Sequence, residues 1–220
     1  MTTQTKSLTM AALARLEAES LLRSDRYIHE FVEALHLCPY AKRCRESGKL
    51  HRRVVLRAED ALDAVRAVEA LPEDSVEVAL LIFPNAPATG LESARAFEEF
   101  AADLRDRILR AHGGNPPFYC VAFHPDLPRD LLDAHRAVLF IRRSPDPTIQ
   151  LVRASVLEAV RGPDDGGTRV VDLNQLSLEE LMAISSPLSL ADRIADANLE
   201  ALQREGPDRI EALLESLRSR

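Results

Sequence analysis

Three residue types that do chemistry stand at breaks in this chain. Cys38 lies between Leu37 and Pro39, His124 between an apolar run and Pro125, and Arg142-Arg143 just before Ser144-Pro145-Asp146-Pro147. A cysteine at a helix N-terminus has its thiolate stabilised by the helix dipole and by free backbone N–H groups. Cys38 is therefore a candidate nucleophile, redox thiol or metal ligand. Imidazole changes charge near neutral pH, so His124 is a candidate acid/base or ligand. The rigid guanidinium fork matches carboxylate and phosphate, which makes Arg143 and Arg142 candidate anion clamps. Tyr40 joins them as a substrate-binding candidate, and a metal set would draw on Cys38, His124 and His36. Each has a plainer reading: a buried cysteine beside a proline, a histidine satisfied by a carbonyl, a surface arginine pair. Because packing alone gives no reason for thiol, imidazole and guanidinium to accompany those prolines, Cys38, His124 and Arg143 are expected to converge on one pocket.

The elements that must position these residues follow from apolar spacing. Phe118 to Phe123 is an uninterrupted apolar run bounded by Gly113-Gly114-Asn115-Pro116-Pro117 and by Pro125. It reads as a buried central strand whose pairing stops at Pro125, leaving His124 at the strand end. Val76–Phe83 is expected to be its buried neighbour, and Arg53–Arg57 a further strand. Asp60–Leu71 and Leu91–Ala111 carry apolar stripes at helical spacing. Alternating strands and helices predict an α/β (or α+β) class, with a small mixed or parallel sheet of three to four strands covered by helices. Upstream, Ser7–Arg23 reads as one helix, Ser24 and Asp25 cap a second, and a short third starts at Pro39. Ala137–Ile141 fits a helix end or a strand. Asp146 as cap and Pro147 at the first helical position predict a helix through Val160, on the stripe Ile149, Val152, Val156, Val160. Thr168–Leu173 suggests an edge strand, Ser177–Ile184 a helix, and Ser189–Glu205 and Pro207–Ser219 two more. The expected organisation is an N-terminal helical extension over 1–26, an α/β core over 27–161, and a C-terminal helical segment over 168–220 packed on the core.

Composition narrows the function classes. The chain has 220 residues and a net charge of −7, from 35 acidic and 28 basic residues, which argues against a nucleic-acid partner. Three cysteines and no apolar leader fit a reducing cytoplasm, and no stretch is long and apolar enough for a membrane span. Walker, dinucleotide-binding, nucleophile-elbow, zincin and EF-hand patterns are all absent. Cys38 and Cys44 are too far apart in sequence for a zinc pair, and Cys120 falls inside an apolar strand. Ile210, Leu213, Leu214 and Leu217 form a stripe in the last helix that needs cover, from the chain's own body or from a second copy in a homodimer.

Four segments in order resemble a bacterial family, the domain of unknown function numbered 1415. They are Leu37-Cys38-Pro39-Tyr40-Ala41, Leu80-Leu81-Ile82-Phe83-Pro84-Asn85, Phe123-His124-Pro125, and Arg143-Ser144-Pro145-Asp146-Pro147-Thr148-Ile149-Gln150-Leu151-Val152-Arg153. The family pattern has Asn where His36 and Arg142 stand here, His where Gln150 stands, and an aromatic where Leu127 stands. The resemblance groups the chain without supplying an activity.

Three functions compete. One is an enzyme acting on a small, anionic molecule through a Cys/His/Arg pocket. Another is a haem- or metal-binding protein with the Cys38 thiolate as ligand. The last is a non-catalytic interaction module.

Overall fold

The computed structural model describes residues 9–84, 90–161 and 190–219. The expected edge strand over 168–173 and helix over 177–184 lie outside the described residues. The fold is α/β with helical extensions. Four strands, β1 (Leu50–Val54), β2 (Val78–Ile82), β3 (Phe118–Phe123) and β4 (Thr148–Arg153), form one sheet in the order β1-β2-β4-β3. β1 and β2 are parallel, and β4 runs antiparallel to both β2 and β3. β1, β2 and β3 therefore all finish at the same end of the sheet.

Each face is covered. On one lie α3 (Ala61–Glu69) and α4 (Ala94–Ala111), burying Val65, Val68, Phe97, Leu104 and Ile108 on Ala79, Leu81, Ile149 and Leu151. Ser93 caps α4, its side chain accepting from the Ala96 N–H. On the other lie α1 (Met10–Arg26), α5 (Ala134–Ile141), α7 (Leu190–Glu205) and α8 (Pro207–Arg218). There Phe31, Phe140, Leu202, Ile210, Leu214 and Leu217 are buried together. The stripe of α8 is thus covered within the chain. The short α2 (Ala41–Glu46) and α6 (Ala154–Arg161) flank β1 and follow β4.

Two expectations are overturned here. β3 is an outer strand, with Tyr119 39% exposed, and it is not adjacent to β2. The strand between them is Thr148–Arg153, which the helical stripe had assigned to a helix. The same residues carry two periods. Ile149, Val152 and Val156 recur at helical spacing, while Ile149 and Leu151 alternate with Thr148, Gln150 and Val152 as a strand requires. β-branched residues and a sheet slot open on both sides favour the strand, and the helix starts only at Ala154. Ala137–Ile141, ambiguous in sequence, is helix.

The expected break at Ser24-Asp25 does not occur either. α1 continues into a π-helix over Tyr27–Glu33. Ser24 is buried and Asp25 pairs with Arg52 of β1, so neither is free to cap. At the far end of that π-helix, His36 has φ of 55°, the left-handed region in which Asn is among the better-tolerated residues after Gly.

Candidate functional site

His124 follows β3 directly and is buried, 2% exposed. Its backbone N–H donates to the Arg142 carbonyl at 3.1 Å, which ties the strand end to the end of α5. Its Nδ1 accepts from the Asp126 N–H at 3.1 Å, so the ring proton of the neutral imidazole sits on Nε2. Among the described residues Nε2 has no hydrogen-bond partner. The ring packs 5.8 Å from the Phe97 ring in the first turns of α4. The Leu91 carbonyl is near enough to raise the proton affinity of the ring without reaching hydrogen-bond geometry at Nε2. Burial outweighs this and the Asp126 charge, and it holds the imidazole below its usual value of 6.5.

A pH dependence follows. Protonation is favoured in the unfolded chain, so His124 contributes stability that is fully present above pH about 6.5 and is lost as pH falls through the lower, folded value. The melting temperature of the wild type should drop between pH 7 and 5 more steeply than that of His124→Gln. Parallel curves would show that the imidazole stays uncoupled from folding.

The two arginines diverge. Arg143 is held: Nε donates to the Pro125 carbonyl at 3.0 Å, and NH1 pairs with Glu211 of α8 at 2.6 Å. Its guanidinium also lies 5.5 Å from the Phe140 ring centre. It is a brace between the His124-Pro125 turn and α8, with two of its three nitrogens already engaged. Arg142 is half-buried and has no hydrogen bond or ion pair to a described residue through its side chain. Burial pushes its pKa down, against the pull of Glu98 and Tyr27. Glu98 adjoins Phe97 on α4, so the Arg142 charge and the His124 ring are felt by the same turn of one helix.

Cys38 lies elsewhere. It is exposed on the loop between the π-helix and α2. Its charge is felt by Cys44, whose thiol meets the backbone of Val78, where β2 begins. His124 follows Phe123, which pairs with Thr148, opposite Ile82 at the far end of the sheet. Strands of this length put those two ends on the order of 15 Å apart. The expected three-residue pocket therefore does not form: the sheet separates Cys38, with His36 and Tyr40, from His124 and the arginines. The same separation divides the metal set of Cys38, His124 and His36, and among the described residues no group of three or more His, Cys, Asp or Glu could hold a metal ion. Cys44 and Cys120 are thiols that burial pushes up to about 11.

One polar feature of this end was missed in the sequence. Asp146 does not cap a helix; it accepts two hydrogen bonds from Arg23 of α1, at 2.9 and 3.0 Å. Beside it a cavity of about 30 Å³, lined by Tyr27, Ile82, Phe123 and Thr148, has room for only a water or two. Nothing in the spacing of residues 23 and 146 announces that pair.

A mixed four-stranded sheet with helices on both faces and polar side chains at one strand end defines the class as an α/β domain. A family model described as "Protein of unknown function (DUF1415)" matches residues 21–186, three quarters of the chain, and the chain belongs to that family. No curated protein and no solved structure matches it. No helix among the described residues is long and apolar enough to cross a membrane.

Proposed function

We propose that the protein is an enzyme acting on a small anionic molecule at the sheet end where β1, β2 and β3 finish. Arg142 holds the anion, and His124 supplies or accepts a proton through Nε2. Ligands of sheets with crossover helices bind outside the carboxyl ends of parallel strands. The observation that carries the reading is that two residues tied by the His124 N–H to Arg142 carbonyl bond each keep an unused group, a half-buried guanidinium with no hydrogen bond or ion pair to a described residue and a buried imidazole whose Nε2 has no hydrogen bond to one. Buried polar groups are normally satisfied, and an anion would satisfy both. The N-terminus of α4 adds partial positive charge at the same place.

Cys38 has no part in this pocket. An alternative, a haem- or metal-binding protein with Cys38 as thiolate ligand, draws on an exposed thiol two residues after His36. An absorbance spectrum with a Soret band that Cys38→Ser removes would favour it.

The test is a titration with inorganic phosphate and with malonate, followed on the His124 ring resonance and on the melting temperature. Saturable shifts are expected in the wild type, weakened roughly ten-fold in Arg142→Gln, the loss of one charge-assisted contact. Shifts equal in wild type and Arg142→Gln, or none in either, would sink the reading.

A further inference from the structure

We propose that a second ligand site, for a short-chain carboxylate, lies between the His36–Pro39 turn and α7. It stands at the other end of the molecule from the anion site above and does not depend on it.

The turn and the helix enclose a cleft of about 240 Å³. That is just under the range of drug-sized pockets, so it suits a ligand of few heavy atoms. Leu37, Pro39 and Ile194 give it apolar walls. One polar group interrupts them. Asn198 of α7 lines the cleft, is only 5% exposed, and its carboxamide makes no hydrogen bond to a described residue. A carboxamide carries two donors and an acceptor, and with no protein partner among the described residues these remain available to a ligand in the cleft.

The rim supplies the charge. Arg193 and His36 both line the cleft and are exposed, and neither forms an ion pair with a described residue. Asp192, the acid next to Arg193, faces His135 instead at 3.7 Å. Asp196, exposed one turn on, is the remaining acid of that stretch and has no place in the cleft lining. A carboxylate at Arg193, hydrogen-bonded by the Asn198 amide, with its alkyl chain on Leu37 and Ile194, matches the charge, the carboxamide and the apolar wall of the cleft.

The experiment uses the full chain, with pentanoate and its neutral isostere pentanamide as probes. The His36 ring resonance, assigned with His36→Gln, is the reporter. Pentanoate should produce a saturable shift, with affinity roughly ten-fold weaker in Arg193→Gln. Pentanamide should bind more weakly than pentanoate. Asn198→Ala should weaken pentanoate while leaving the circular dichroism spectrum unchanged, and Arg142→Gln should change nothing. A response confined to Arg142→Gln would leave the strand-end site standing and remove this one. No saturable shift, equal binding of the two probes, or equal affinity in Arg193→Gln each overturns the proposal.

Discussion

Ending the chain at Gly206 is expected to lower the melting temperature by about 8–16 °C. α8 buries Ile210, Leu214 and Leu217 to 3% exposure or less, against Phe31 and Phe140. Each such side chain contributes about 1.5–3 kcal/mol. With a discount for residual burial in the unfolded chain, their loss comes to about 4 kcal/mol, or about 8–16 °C for a chain of this size. Truncation also removes Glu211 from Arg143, whose side chain is only 14% exposed, so a poorly solvated guanidinium is left without its carboxylate. Thermal unfolding of the truncated and full chains measures this directly, and light scattering shows whether the bared surface self-associates. A truncated chain that melts within two degrees of the full one would mean that the α8 contacts contribute nothing net.

The second large effect is expected at Asp146. Its carboxylate is gripped by the Arg23 guanidinium, and the two side chains are 11% and 12% exposed. Arg23 also donates to Ser20, so Nε and Nη2 are engaged within α1 and with Asp146 just before β4. Asp146→Ala leaves a buried guanidinium uncompensated, and breaking such a pair costs about 3–5 kcal/mol. Arg23→Met combined with Asp146→Leu removes both charges, and much of the loss should return, because a pair of apolar residues carries no desolvation penalty. Urea midpoints of the two single variants and the double variant give the coupling energy. Additive losses would show that Arg23 and Asp146 act independently.

Much of this was legible in the residues. α4 emerged from the spacing of Phe97, Phe100, Ala101, Leu104 and Ile108, and Gly113 and Gly114, both at positive φ, follow it as a stop. β3 was bounded by its prolines, and His124 stands at its end because Pro125 has no N–H to offer a ladder. β4 was not legible. Its six residues satisfy two periodicities at once, and only a vacant slot between β2 and β3 chooses between them. The arginine pair shows the same limit. Arg143 looked like the clamp and Arg142 its neighbour, yet adjacent residues leaving a helix end point apart. Arg143 met Glu211, and Arg142 formed no hydrogen bond or ion pair with a described residue through its side chain.

The sequence by itself determined the class of the fold, the helices α3 and α4, the end of β3 and the family, because these rest on local periodicity, on proline and glycine, and on ordered motifs. The tertiary structure alone decided which side chains share a site. Cys38, His124 and Arg143 each sit at a chain break, but a break sets only where an element stops, not which end of the sheet it faces. The π-helix carries the chain from Tyr27, beside β4's start, to the Cys38 loop near the start of β2. That run along the sheet places the thiol far from the imidazole, and it is set by tertiary contacts such as that of Tyr27 with Ile141, 114 positions on.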